Sequence, residues 1–360
     1  MANITVIGCG QMGSAISFPA AYNGHKIRLV GTHLDEEIVK QGKETGIHKT
    51  LCKTTPEGKV GFKMPENDTF HYLDEFEGLL KDTDLLICGV SSFGIDWFCE
   101  KIIPLIPEDM PVLSITKGMI HTGDGKMISY PELFEETAAK LGKKISFNAV
   151  GGPCTSYELA DNDPTEVTFC GRNEEQLRWL KSLFETPVYH VSLSTDVRGV
   201  ECAVALKNAY ALGVSLAVGL SYAREGKEIM HFNSQAALFQ QSAREMSSLL
   251  EIVGCAPDNI YLGIGDLYVT IYGGRTRMIG TLLGEGMSFD AAMERLKGVT
   301  LESIVISGRT CDCIRKRVEL GLSKAEDYPL LMHIGDLITS KASVNIPWAD
   351  FEREFNDNLR

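Results

Sequence analysis

The chain is expected to be an α/β protein, with a Rossmann-like doubly wound N-terminal domain followed by an all-α C-terminal domain. Three observations predict this. Apolar strand-like runs alternate with amphipathic stretches through the first half, and a G-x-G-x-x-G turn follows the first run directly. After Ser194 the strand pattern stops, and apolar positions recur at helical spacing.

Residues 4–7 form a short apolar run ending in glycine, and residues 11–22 read as the helix that follows. Residues 27–30 read as the second strand. Residues 85–90, 111–115 and 145–150 are continuous apolar runs, the pattern of parallel strands covered on both faces. Residues 167–170 and 188–191 are further strand candidates, and residues 132–141 and 173–184 are amphipathic helices between them. Residues 49–72 break the rhythm. Their Pro56-Glu57-Gly58 turn and the alternation over 59–64 suggest a small hairpin insertion. Helical spacing then covers residues 236–252, 289–296, 304–318 and 329–338, punctuated by glycines such as Gly254, Gly263 and Gly273. The boundary falls near residues 192–196, giving a dinucleotide-binding domain over 1–194 and a helical substrate domain over 195–360.

Composition narrows the function. Of 360 residues, 44% are hydrophobic and 23% charged, the mix of a soluble globular protein. With 48 acidic against 35 basic side chains the net charge is −13, a field that repels nucleic acid and acidic membrane surfaces. A small anionic ligand then needs a local pocket of positive charge. The first residues have no basic region or long apolar core of a signal peptide. The ten cysteines are scattered without C-x-x-C spacing, as expected of reduced thiols in a cytoplasmic protein. Residues 200–220 are apolar and long enough to span a bilayer, but Glu201 and Lys207 fit a buried helix better than a lone membrane span.

Several motifs carry chemistry. In Gly8-Cys9-Gly10-Gln11-Met12-Gly13, Gly8 permits a tight turn. Gly10 lets a pyrophosphate approach the backbone, and Gly13 lets helix and sheet pack closely. The second strand ends Val30-Gly31-Thr32-His33 without the acid that dinucleotide folds preferring NAD place there. Asp35, Glu36 and Glu37 come later and fit a helix start. Thr32 and His33 would meet a 2′-phosphate, or are plain loop residues. The balance tips to NADP, with NAD left open. Lys117 follows a buried strand at the carboxyl edge of the sheet, where it would polarise a carbonyl or hold an anion; otherwise it is a solvated loop lysine. The glycines of Val150-Gly151-Gly152-Pro153-Cys154 sit at another strand end, where backbone can approach a ring-sized ligand.

Lys207 and Asn208 lie in the buried-type helix. Burial disfavours an ammonium, which should bring its pKa toward the range of proton transfer. Asp266, a lone acid among apolar residues and glycines, is a source of a carboxylate partner, or a helix cap. Gly273-Gly274-Arg275-Thr276-Arg277 opens a helix, and consecutive glycines with arginine make an anion-binding concavity, or else these are surface arginines. No cluster of histidine and cysteine suggests a metal, and none is expected.

With these pieces placed, the chain resembles the soluble NAD(P)-dependent sn-glycerol-3-phosphate dehydrogenase family from the G-C-G-Q-M-G turn to at least Ile338. The motifs are ITKG ending at Gly118, GP-x-x-x-x-E from Gly152 to Glu158, and VE-x-x-x-ALKN ending at Asn208. N-x-x-AAL from Asn233 and GDL-x-x-T-x-x-GGR from Gly265 to Arg275 follow. The resemblance implies that Lys207 exchanges a proton with the substrate C2 oxygen, and that Lys117, Asn208, Asp266 and Thr270 line the same pocket. It implies that Arg275 binds the substrate phosphate, and Thr276 beside it is expected to help. Gly8, Gly10, Gln11, Met12, Gly13, Thr32, His33, Phe93, Lys117, Cys154, Arg275 and Glu302 would contact the cofactor. Lys207, Asp266 and Lys117 would be the catalytic set. The family usually reads GGRN where this chain has Thr276, and N-T-K-A-A where it has Gln235. The implied reaction is hydride transfer between NAD(P)H and dihydroxyacetone phosphate, or another phosphorylated ketose, with a cofactor-binding sensor as the non-enzymatic alternative. The apolar C-terminal helices favour a homodimer.

Overall fold

A computed structural model describes residues 1–226, 229 and 231–352; the last residues of the expected helical domain, 353–360, lie outside the described residues. The chain divides into two compact units: Met1–Lys117 with Ser129–Glu201, and Gly118–Ile128 with Cys202–Arg360.

The first unit is built on an eight-stranded sheet. Its strands are β1 (Asn3–Ile7), β2 (Lys26–Val30), β5 (Asp68–His71), β6 (Leu85–Cys88), β7 (Pro111–Ser114), β10 (Ser146–Gly151), β11 (Thr165–Cys170) and β12 (Tyr189–Ser194). They lie in the order β12-β11-β10-β7-β6-β1-β2-β5. All neighbours pair in parallel except β10 and β11, where Val150 opposes Phe169. β1 pairs β2 on one side, Ile4 beside Ile27, and β6 on the other, Ile4 beside Leu85. The chain order reverses there, which makes the carboxyl ends of β1 and β6 the switch point at which doubly wound sheets bind ligands. The apolar strand runs are buried, with Ile4, Val6, Leu29, Leu85 and Leu113 at 0% exposure. The insertion is the expected hairpin, β3 (Ile47–Thr55) and β4 (Gly58–Lys63), pairing Thr55 with Gly58.

Two details differ from the sequence expectation. The helix over 11–22 is divided into Gln11–Ala15 and Ser17–Tyr22. Pro19 explains the break, because it has no N–H for the Ala15 carbonyl and its ring crowds that oxygen. β5 is an additional edge strand whose Asp-Thr-Phe-His sequence carries little apolar signal.

Asp68 of β5 has a pH consequence. Its Oδ2 accepts from Ser17 Oγ at 2.6 Å, while Oδ1 is buried without a partner. Burial pushes its carboxyl up to about 7, and the Ser17 hydrogen bond only partly offsets this. With a folded pKa above the ordinary 3.8, the folded chain holds a proton that the unfolded chain releases. That contribution to stability is complete below pH 4 and lost as pH rises through 7. Asp68→Asn is expected to stabilise the fold at pH 8 by roughly 4 kcal/mol, seen as a raised Tm, and to change it little at pH 4. Equal shifts at both pH values in calorimetry would contradict this.

The second unit is helical apart from the short pair β8 (Met119–His121) and β9 (Met127–Ser129), of which residues through Ile128 belong to it. Arg309 Nη1 donates to the Met119 carbonyl at 3.0 Å, and Arg317 Nη1 to Gly125 at 3.3 Å, fastening this segment to the helix Glu302–Glu319. The core gathers around Val197–Glu225, the one described helix long and apolar enough to cross a membrane; 89% of its most apolar window is buried inside the protein. Buried Glu245 ties three helices together. It accepts from Tyr210 Oη at 3.0 Å and from the backbone N–H groups of Leu330 and Leu331 at 2.8 and 2.9 Å. Those two N–H groups open the helix Pro329–Thr339, where no carbonyl of the helix itself can reach them.

Candidate active site

In the first unit the glycine-rich turn sits at the carboxyl end of β1. Gly8 has φ +104°, and a Cβ there would lie 2.7 Å from the Gly89 carbonyl carbon. A Cβ on Gly13 would run into the Gly8 carbonyl oxygen, whereas one on Gly10 meets nothing within 4 Å. Gly8 and Gly13 are therefore glycines because the turn packs against β1 and β6. Gly10 is different: it faces open space, the approach a pyrophosphate requires. These features fit a dinucleotide.

The surrounding groups hold the turn. The Cys9 N–H donates to Asp35 Oδ2 at 3.3 Å, and the same oxygen accepts from Thr32 N–H at 2.9 Å and Thr32 Oγ1 at 2.8 Å. Asp35 thus does more than begin a helix: it fixes the loop after β2. His33 is exposed there, its ring 6.0 Å from that of Trp97. Gln11 donates through Nε2 to the Thr50 carbonyl at 3.0 Å. Met12 is partly buried against the core. Phe93 is exposed in the turn Ser92–Gly94, and Cys154 is half-buried. Lys117 is not a freely solvated loop residue, because its Nζ donates to the Gly152 carbonyl at 2.7 Å. Gly152 has φ +120°, and a Cβ there would crowd Val167 Cα at 3.1 Å.

In the second unit, Lys207 and Asn208 occupy the helix Val197–Glu225, and Asp266 lies inside the helix Ile260–Ile271 rather than capping it. Lys207 Nζ donates to Asp266 Oδ1. The Asp266 side chain is 0% exposed and that of Lys207 12%, so the ammonium keeps access to solvent while its counter-ion has none. The helices approach closely here because Gly263 leaves no side chain against the Ala203 carbonyl, which a Cβ would meet at 2.8 Å. Asn208 is buried, and Thr270 Oγ1 donates back to the Asp266 carbonyl at 2.7 Å.

Gly273 precedes the helix Gly274–Gly284, and Gly274 has φ +83°. Arg275 in its first turn is half exposed, with Nη2 3.7 Å from Glu302 Oε2; Thr276 is buried. Arg277 is committed elsewhere, donating to the Ile271 carbonyl at 2.7 Å. Arg275 remains the arginine at the double glycine that can grip an anion bidentately. His48, which lies one residue before the expected insertion, was not singled out by sequence reasoning.

Comparison with known proteins places the chain in a family. Residues 3–177 match the family described as NAD-dependent glycerol-3-phosphate dehydrogenase N-terminus, and residues 196–347 match its C-terminus. An NADP(+)-dependent glycerol-3-phosphate dehydrogenase of Archaeoglobus fulgidus is 31% identical over 296 residues, 82% of this chain and 83% of that protein. A glycerol-3-phosphate dehydrogenase of the NAD(P)+ type from Shouchella clausii is 30% identical over 311 residues, 84% of each. Among solved structures, the Coxiella burnetii glycerol-3-phosphate dehydrogenase is 22% identical and superposes with a TM-score of 0.76, covering 98% of both chains. That of Plasmodium falciparum, 18% identical, gives 0.78 over 100% of this chain and 96% of its own. The protein is an NAD(P)-dependent oxidoreductase on a dinucleotide-binding fold. It belongs to the NAD-dependent glycerol-3-phosphate dehydrogenase family.

Proposed function

We propose that the protein interconverts dihydroxyacetone phosphate and sn-glycerol 3-phosphate, with Lys207 as the general acid and base. The observation that carries this reading is the Lys207–Asp266 pair, a partly accessible ammonium held by a buried carboxylate. In reduction, Lys207 Nζ gives a proton to the oxygen forming at C2, and in oxidation it takes that proton back. Asp266 orients the ammonium. Lys117 and Asn208 stabilise the oxygen as charge develops. Arg275 clamps the phosphate, with Thr276 and the double-glycine turn supporting it. NAD or NADP supplies the hydride. It is held at Gly8, Gly10, Gln11, Met12 and Gly13, with Thr32, His33, Phe93, Cys154 and Glu302 in contact. We place the enzyme in the cytoplasm as a homodimer; all ten cysteines are free, as a reducing compartment requires.

Initial rates of NADH and NADPH oxidation with dihydroxyacetone phosphate test the substrate and the cofactor together. Dihydroxyacetone phosphate is expected to outpace other phosphorylated ketones, with NADPH the better donor. The second reading, a different phosphorylated ketose, is favoured by Thr276, a buried residue where the family usually carries asparagine. It prevails if dihydroxyacetone phosphate ranks among the poorest substrates.

A further inference from the structure

The hairpin insertion reaches the glycine-rich turn through one buried side chain, His48 of β3. His48 is 0% exposed, and its Nε2 lies 2.9 Å from the carbonyl oxygen of Cys9, between Gly8 and Gly10. Its other nitrogen, Nδ1, receives the backbone N–H groups of Thr50 at 3.2 Å and Leu51 at 2.8 Å. Two donors aimed at Nδ1 require a lone pair there, so the ring proton resides on Nε2 and is donated to Cys9. Burial lowers the basicity of His48 below its ordinary value, which keeps the ring neutral and this tautomer in place.

The two peptide groups flanking Cys9 are therefore both held. Asp35 Oδ2 takes the Cys9 N–H at 3.3 Å, and His48 holds the Cys9 carbonyl, which Ser14 Oγ also reaches at 3.3 Å. The same hairpin receives the Gln11 side chain through the Thr50 carbonyl. A carbonyl oxygen free to rotate into the turn would oppose a pyrophosphate there; one bound to a buried histidine is kept on the hairpin side.

We infer that His48 is a positioning residue for cofactor binding, fixing the Cys9 carbonyl so that the glycine-rich turn is presented ready-made to the dinucleotide. This rests on the reading that residues 8–13 hold the cofactor. The insertion then has a purpose in the reaction: at 2.9 Å its histidine gives the Cys9 carbonyl a shorter hydrogen bond than the 3.3 Å one from Ser14 of the flanking helix.

Three variants and fluorescence titration with NADH and NADPH test it. His48→Ala is expected to weaken cofactor binding about tenfold and raise KM for cofactor in parallel. Its kcat at saturating cofactor should stay within about twofold of wild type. His48→Gln keeps an N–H that can reach Cys9, and should restore most of the affinity. Leu51→Ala removes a buried side chain of the same strand while keeping the backbone N–H to His48. It should lower Tm without moving the cofactor Kd. Unchanged affinity in His48→Ala, or an equal loss in Leu51→Ala, overturns the inference by making His48 an ordinary structural residue. If wild type binds neither NADH nor NADPH, the reading of the turn fails first and the inference falls with it.

Discussion

Lys207→Ala is expected to lower kcat by about 10²–10⁴-fold, the range for loss of a general acid, while leaving NAD(P)H affinity nearly intact. The argument begins with Asp266. Its carboxylate is fully buried, and Lys207 Nζ donates to it from the neighbouring helix. Removing the lysine strands that charge, so the variant is also expected to lose about 3–5 kcal/mol of stability. Low activity alone would then be ambiguous. The double variant Lys207→Ala, Asp266→Asn resolves this. It removes the stranded charge, and so should recover most of the Tm without recovering turnover. Asp266→Asn alone keeps the ammonium but loosens its direction, and should reduce kcat less than Lys207→Ala does. If Lys207→Ala turned over at the wild-type rate, the proposed proton transfer would be wrong. If the double variant regained activity along with stability, the pair would be structural.

The elements legible in the sequence share a physical cause. Parallel strands covered on both faces must be apolar throughout, so β1, β6, β7 and β10 announce themselves as continuous runs. A turn that packs against two strand ends must be glycine, so residues 8 and 13 stand out beside the first run. What was not legible depends on contacts distant in the chain. β5 is polar because it lies at the sheet edge. The segment Gly118–Ile128 joins the helical unit through hydrogen bonds from Arg309 and Arg317, which lie 190 and 192 residues from their partners.

The candidate site divides in the same way. Lys207 drew attention because a charge in an apolar helix needs a reason, and Asp266 because it is the lone acid among its neighbours. His48 drew none, since a histidine in a polar hairpin has no local anomaly. Only its position against Cys9 gives it meaning. Concentrating positive charge inside an acidic chain also takes a definite form. Lys207 and Arg275 each have a carboxylate beside them, Asp266 and Glu302, so neither cation is an unbalanced charge before substrate arrives.

Gly10→Ala and Gly13→Ala are expected to fail in different ways, though both alter one fingerprint. Gly10 has φ −63° and ψ 175°, a conformation alanine adopts without strain, and its Cβ would meet nothing within 4 Å. The variant should fold with a Tm close to wild type. The added methyl would occupy the open space that the pyrophosphate needs, so the KM for cofactor should rise by at least tenfold. A Cβ on Gly13, in contrast, collides with the Gly8 carbonyl oxygen, a backbone atom held by the packing of β1 against Gly89. No flexible side chain can yield there. The helix must move off the sheet, and overpacking of this kind typically costs about 1–3 kcal/mol or more. Gly13→Ala should therefore lose thermal stability, and with it cofactor affinity, whereas Gly10→Ala loses affinity alone. Measuring Tm and NAD(P)H Kd on both variants separates the two roles. A Gly10→Ala protein that binds as wild type does would place the pyrophosphate elsewhere, and a Gly13→Ala protein of wild-type Tm would show that the turn is not packed as described.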